Sequence, residues 1–346
     1  MDVHSIAKLP LFEMQKFAQT LGNTPLKPIQ LRVDGRPHTL HLKLEGANPT
    51  GSAKDRTGKS LIETLEAQGR LSQSSILVES TSGNLGAALS FLCKVKGYCF
   101  LAVVDPKTTH ENIEKMRVLG AEIEMVTKQD QTGGYLLSRL ERVQALCQSS
   151  QRYIWTNQYE NLANPIIHQH DTGPEIYRQM NSQVDALFIA VSTGGTLAGI
   201  SRFFRKKSPQ TRIIGVDARG SVVFGAPPGP RLLAGIGSSR RSSFLTRSDY
   251  DEYTLVGDEE AFAFCRAVFA MTGICVGGSS GAVIAACVRY LRTHQDIRNV
   301  VCLCADRGTN YTSSIFDDQW MTSHGFSLHA GLPDGVQIDE RASSLW

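Results

Sequence analysis

Between Ile76 and Val126 the chain alternates short apolar runs rich in β-branched residues with amphipathic stretches: ILVE, GNLGAALSFLCKVKG, YCFLAVV, HENIEKMRVLG and AEIEMV. Apolar runs this short, set between stretches whose apolar positions recur every three or four residues, read as strands joined by helices. Parallel strands need such crossovers, so the pattern predicts a βαβαβ unit. Gly97 and Gly120 follow the last periodic residue of each helix, where a residue free to adopt positive φ ends it.

A second series starts at ALFIAV (186–191), passes through the glycine-rich STGGT and the helical LAGISRFFRK, and returns in RIIGVD (212–217). Gly278 to Gly281 then introduce the helix AVIAACVRYL ahead of a strand-like run at Asn299 to Cys304. A chain of 346 residues suits about two domains of roughly 150 residues. The expected fold class is therefore α/β, with two domains, each a mainly parallel twisted sheet flanked by helices. Residues 220–243 are rich in Gly, Pro and Ser and carry no periodic element; loops of that length ordinarily cover a site. The stretch after about Ser323 is weakly periodic and reads as a surface arm.

Lys and Arg number 36 against 33 Asp and Glu, a net charge of +3. That balance supplies no field calling for nucleic acid or an anionic membrane, and directs attention to small molecules. Eight cysteines lie in apolar or periodic segments without a C-x-x-C pair, so they read as core thiols in a reducing compartment. The N-terminal residues lack a continuous apolar core, and no run of about 18 uncharged apolar residues occurs. No export signal or membrane span is expected.

Four segments carry chemistry. In LEGANPTGSAKDRTGKS (44–59), Lys54 stands at the mouth of a helix after a Pro and Gly turn. A lysine is by default a solvated charge, but the positive end of a helix dipole disfavours ammonium and favours the neutral amine of a Schiff base. In ESTSGNLG (79–86), the Thr81 and Ser82 hydroxyls and the N–H groups near Gly83 and Asn84 meet at a helix N-terminus. That arrangement suits a carboxylate or phosphate, or serves simply as a cap. VSTGGTLAG (191–199) gives a strand, a glycine-rich turn and a helix, with Ser192, Thr193, Gly194, Gly195 and Thr196 around an anion. Its glycines run G-G-x-x-x-G, which is neither the triphosphate loop nor the dinucleotide fingerprint, although Asp217 stands where a ribose-binding acid would. In GICVGGSSGAVIAA (273–286), Ser279 is a helix cap or a partner for a heteroaromatic nitrogen.

Together with LGNTPL, NQYENLANP and TGPEIY, these segments resemble, over about residues 20–312, the β-family of pyridoxal 5′-phosphate (PLP) enzymes, the cysteine synthase group of fold type II. The resemblance implies that Lys54 holds PLP as a Schiff base and removes the α-proton, and that Asn84 bonds the cofactor 3′-oxygen. It implies that Ser192 to Thr196 hold the phosphate and that Ser279 meets the pyridine nitrogen. Thr81, Ser82, Gly83 and Gln158 would bind the substrate, its α-carboxylate above all. A serine opposite the ring nitrogen does not enforce protonation, which favours elimination through an α-aminoacrylate over transamination. The expected organisation is a larger PLP-binding domain of 1–47 and 158–322, a smaller substrate domain of 48–157 and a tail of 323–346, in a cytoplasmic homodimer.

Ser192, Tyr159 and Leu85 replace the Gly, Phe and Thr usual in cysteine synthases. GGYLLSRL (133–140), VDARGSVVFG (216–225) and GIGSSR (235–240) look more like a branch that serves siderophore biosynthesis. That branch joins O-phospho-L-serine to the amino group of L-glutamate on the way to 2,3-diaminopropionate. Anionic reactants need cations, so Arg139 is assigned to the glutamate carboxylate and Arg240 to the phosphate of phosphoserine. A sulfide-using cysteine synthase or O-phosphoserine sulfhydrylase, and a non-catalytic scaffold of the same fold, are the competing readings.

Overall fold

The computed structural model describes residues 2–131, 134–328 and 331–339, so Gly133 of the GGYLLSRL segment and the end of the tail lie outside the described residues. In chain order the elements are helices α1 (Val3–Ala7) and α2 (Leu11–Ala18), strands β1 (Leu26–Val33) and β2 (Arg36–Leu44), then α3 (Lys54–Ala67), β3 (Ile76–Ser80), α4 (Asn84–Lys96), β4 (Cys99–Val104), α5 (His110–Val118), β5 (Glu122–Met125), α6 (Leu136–Ser149), β6 (Tyr153–Trp155) and α7 (Ala163–Ile167). A π-helical turn at His168–Thr172 leads into α8 (Gly173–Gln179), β7 (Ala186–Ala190), α9 (Gly195–Lys207), β8 (Arg212–Ala218), β9 (Glu252–Val256), α10 (Asp258–Thr272), α11 (Gly278–Thr293), β10 (Val300–Cys304), α12 (Asp318–Ser323) and β11 (Val336–Ile338).

The chain divides into two units. One takes the residues up to Asn23 together with Asn48–Ile167; the other takes Thr24–Ala47 and the chain from His168 onward. The boundaries differ from 1–47 and 158–322 because α1, α2 and α7 bury apolar side chains in the smaller unit. Val3, Ile6, Met14 and Ala163 share a core with Leu61, Leu65, Leu89 and Phe91, and the Ser60 hydroxyl donates to Ala163 O at 2.8 Å.

The smaller unit holds a four-stranded parallel sheet of order β5-β4-β3-β6. This contains the βαβαβ run foreseen from the sequence. Gly97 caps α4 at φ 79°, and the Thr109 hydroxyl caps α5 by accepting from Asn112 N. The larger unit holds a seven-stranded sheet of order β11-β1-β2-β10-β7-β8-β9. Its β2, β10, β7, β8 and β9 are parallel, whereas β1 runs antiparallel to both β2 and β11. The β1–β2 hairpin turns through Asp34 and Gly35, both at positive φ, the two-residue turn whose twist matches the strands. The tail is only partly a surface arm, since β11 extends this sheet and its Val336 and Ile338 are buried.

Candidate active site

In the smaller unit Lys54 opens α3, as the sequence suggested. The preceding turn is closed by Asp55, whose carboxylate accepts from Thr50 N at 3.0 Å and Ser52 N at 3.2 Å. The Ser52 hydroxyl in turn accepts from Lys54 N at 3.2 Å. Lys54 is half-buried, while Asp55, Arg56, Thr57 and Gly58 beyond it are buried. A Cβ on Gly58 would lie 3.2 Å from Leu92 and 3.4 Å from Ala88, so this glycine lets α3 approach α4 closely.

The loop Thr81 to Gly83 leaves β3 and enters α4 at Asn84. Gly83 occupies the cap position without a side-chain bond; the first turn is instead held by Thr81, whose hydroxyl oxygen accepts from Gly86 N at 2.9 Å. Thr81 is buried and Ser82 exposed, and the Ser82 carbonyl accepts from the Asn112 amide at 3.1 Å. Gln158 lies beside this loop, its amide donating to Ser80 O at 2.9 Å. Asn157 adopts φ 55°, a conformation asparagine tolerates, and turns the chain so that Gln158 is buried and Tyr159 half-buried. Thr81 to Gly83 and Gln158 thus gather past the C-terminal ends of the adjacent parallel strands β3 and β6, the edge where open α/β sheets bind ligands. Arg139 is 7% exposed, with Nε 3.2 Å from the Asp105 carboxylate just past β4, the strand beside β3. Its Nη1 is buried without a hydrogen-bond partner.

In the larger unit, β7 and β10 are parallel neighbours, and two helix N-termini open past their C-terminal ends. Ser192, Thr193 and Gly194 lead into Gly195, the first residue of α9, with Gly194 at φ 92°. Any Cβ on Gly194 would overlap the Ser242 hydroxyl, which donates to Thr193 O at 2.6 Å. The Ser192 hydroxyl donates to Gly237 O at 3.1 Å. The element-free loop 220–243 is therefore fastened against the glycine turn. Arg240 lies half-buried in that loop, its N–H bonded to Ser238 Oγ at 3.1 Å. Past β10, Gly277 N bonds to Asp306 O at 3.2 Å, placing the start of α11 there. Ser279 is not its cap, because Gly277 holds that position; Ser279 sits inside the first turn, 1% exposed, with no partner for its hydroxyl.

Several residues around these loops were missed by sequence reasoning. Thr196 Oγ1 faces His168 Nε2 at 3.2 Å, and His168 Nδ1 faces Thr172 Oγ1 at 2.9 Å. The π-helical turn that carries His168, a distortion enriched at functional sites, packs on α9. LGNTPL and TGPEIY owe their place in the pattern to a buried network: Lys43 is ion-paired with Glu175 and donates to Thr24 O at 2.7 Å and Gln179 Oε1 at 2.8 Å. Tyr311 donates to Asp306 at 2.7 Å beside α11, and burial pushes its hydroxyl well up. Asp217 is wholly buried and accepts from Ala218 N at 2.8 Å, not poised toward a ribose; burial raises it to about 6. The cysteines are free, but Cys99 is exposed at the start of β4 and Cys147 and Cys275 are half-buried, so only five of the eight are core thiols. Among the described residues no group of three metal-binding side chains occurs, and no helix is long and apolar enough to cross a membrane.

The residues present fit PLP. A buried, unpartnered Ser279 hydroxyl costs about 1–3 kcal/mol unless a ligand atom meets it, and a pyridine nitrogen is such an atom. The cradle at Ser192 to Thr196 combines a left-handed glycine at the N-cap with the start of a long helix, where Gly195 N meets Thr193 Oγ1 at 3.5 Å, an arrangement that suits a phosphate. Lys54 supplies the primary amine at the start of α3.

Comparison with known proteins agrees. Residues 17–306 match the pyridoxal-phosphate dependent enzyme family. The chain is 44% identical over 325 residues to an N-(2-amino-2-carboxyethyl)-L-glutamate synthase of Ralstonia nicotianae, covering 94% of this chain and 96% of that one. It is 42% identical over 308 residues to a protein of the same name from Cupriavidus metallidurans, covering 88% and 90%. Among solved structures it resembles an O-acetylserine dependent cystathionine β-synthase from Helicobacter pylori, with a TM-score of 0.80 at 28% identity over 86% of this chain and 97% of that one. The chain accordingly belongs to the pyridoxal-phosphate dependent enzymes, in the fold type II architecture, and its cofactor is PLP.

Proposed function

We propose that the protein replaces the phosphate of O-phospho-L-serine with the amino group of L-glutamate, giving N-(2-amino-2-carboxyethyl)-L-glutamate and inorganic phosphate as a step toward 2,3-diaminopropionate for siderophore assembly. The observation that carries this reading is the 44% identity, end to end, with a relative bearing that name. The glutamate nitrogen forms a bond to Cβ, the Cβ–O bond to phosphate breaks, and one proton leaves the amine. When bound, PLP supplies the electron sink for the pair left on Cα.

In this reading Lys54 holds the cofactor and its Nζ moves the α-proton. Asn84 bonds the cofactor 3′-oxygen, Ser192 to Thr196 cradle the phosphate, and Ser279 donates to the ring nitrogen. Thr81, Ser82, the Gly83 N–H and Gln158 hold the substrate α-carboxylate. Arg139, with Asp105 against Nε and Nη1 unsatisfied, receives a glutamate carboxylate. Tyr159 and Ser192 shape the space for the nucleophile, and Arg240 meets the leaving phosphate. We extend the reading to a homodimer in the cytoplasm, which sedimentation and cell fractionation test.

Enzyme supplied with phosphoserine and either glutamate or sulfide, followed by mass analysis of the amino-acid product, decides the reaction. The expected result is one phosphate released per molecule of the glutamate adduct. The second reading, a sulfide-using synthase, draws support from a shared fold with an enzyme named as an O-acetylserine dependent cystathionine β-synthase, and cysteine as the sole product establishes it instead. Lys54→Ala is expected to lose the visible absorption of the bound cofactor; a variant that keeps it overturns the role of Lys54.

A further inference from the structure

Among the buried carboxylates of the smaller unit, Glu79 joins two of the loops assigned to substrate. Glu79, the last residue but one of β3, is 0% exposed. Oε1 accepts from Ser80 N at 2.9 Å and Trp155 Nε1 at 3.2 Å. Oε2 accepts from Thr156 Oγ1 at 2.6 Å and Gln158 N at 2.9 Å. Each oxygen thus takes two donors, an arrangement built for the anion. Burial pushes the Glu79 carboxyl up, and these four bonds oppose the push. Three of the donors come from Trp155, Thr156 and Gln158, at the end of β6 and just beyond, and one from the residue before Thr81. A second tie runs alongside, from the Gln158 amide to Ser80 O at 2.9 Å.

We propose that Glu79 is a positioning residue for substrate: its carboxylate locks the turn bearing Gln158 against the loop bearing Thr81 and Ser82, so that these groups meet one carboxylate together. The inference rests on the assignment of Thr81, Ser82 and Gln158 to the substrate α-carboxylate. β3 and β6 pair through Ile76, Leu77 and Val78 with Tyr153, Ile154 and Trp155, and their last backbone bond runs from Thr156 N to Val78 O at 3.2 Å, so beyond Thr156 the ladder gives way to side-chain bonds. Glu79 replaces the missing ladder with side-chain bonds where the loops must hold their spacing. A neutral amide there would turn its NH2 toward an N–H that cannot rotate away, whether Ser80 N or Gln158 N. The loop would have to shift to relieve that opposition.

The test uses holoenzyme and L-alanine, which carries an α-carboxylate and no leaving group, with the amino-acid-induced change in cofactor absorption as the readout. Glu79→Gln is expected to raise the half-maximal alanine concentration about ten- to hundredfold, with PLP affinity changed less than about twofold. Thr156→Val, which deletes one donor and keeps the carboxylate, is expected to raise it about three- to tenfold, and stands in should Glu79→Gln not fold. An unchanged alanine concentration in whichever variant folds, or a loss of PLP affinity as large as the loss of alanine affinity, overturns the proposal. Gln158→Ala separates the two layers. If it leaves alanine binding unchanged, the carboxylate assignment of Gln158 fails; if it weakens alanine while Glu79→Gln does not, the positioning role alone fails.

Discussion

Ser279 brings into the interior a hydroxyl without a protein partner, a cost that a cofactor atom meeting it removes. Ser279→Ala is expected to leave the cofactor-free protein as stable as before or more so, while weakening PLP binding about tenfold or more; thermal denaturation with and without PLP checks both halves. Asp217 is a buried carboxyl that burial raises to about 6. Its folded value lies above its unfolded value, so the fold holds the proton longer and stability falls as pH rises from about 4 through 6. Asp217→Asn keeps an acceptor for Ala218 N and should stabilise at pH 8 by on the order of 2–3 kcal/mol, with little effect at pH 4. Urea denaturation at the two pH values checks the sign.

At the scale of elements, the glycine turn before α9 depends on both its backbone and its neighbour. Gly194→Ala meets a left-handed φ of 92° and the Ser242 hydroxyl at once. The expected outcome is a folded protein, by circular dichroism, whose PLP affinity falls at least about tenfold. His168→Ala should weaken PLP less, since it removes a support of Thr196 and leaves the turn intact; fluorescence titration ranks the two. These elements also show what was legible beforehand. Strands β3 and β4 announced themselves because both their faces are largely buried, giving apolar runs, whereas β5 is partly exposed and alternates Glu with apolar residues. In β1 and β2 polar residues alternate with apolar ones, and the Asp34–Gly35 pair between them was the signal that could have revealed the hairpin. Lys54 and Ser279 taken singly read as a solvated charge and a helix cap, and were singled out only by the ordered set of motifs that includes the glycine turn. Glu79 and His168 were not, because a lone Glu or His in a motif has no periodicity, and their importance comes from partners about 80 and 30 residues away in sequence.

Across the whole molecule, the free cysteines report how tightly the two cores are closed. Cys99 should react with a thiol reagent at once and Cys147 and Cys275 more slowly. Cys93, Cys265, Cys287, Cys302 and Cys304 are buried and should wait for unfolding, Cys93 and Cys265 also because burial pushes their thiols up. Rapid reaction of all eight in the native protein would contradict the burial described for either unit. Truncation before Gly331 removes β11 and bares the outer edge of β1 at Leu31, Arg32 and Val33; the expected result is a lower melting temperature and association through that edge, checked by light scattering.

The place of β2 in the larger sheet has a consequence in time. Leu40 pairs with Val300, so the β1–β2 hairpin leaves the ribosome about 260 residues before the strand that covers its inner edge. At roughly 5–20 residues per second, that edge stays open for about 13–50 s of synthesis. Once Trp155 has been made, for the remaining half or so of that interval, the smaller unit has all its strands and can close its own core, while the β1–β2 hairpin of the larger one waits with one edge of β2 open. Nascent chains stalled between the two events are where chaperones should be found bound.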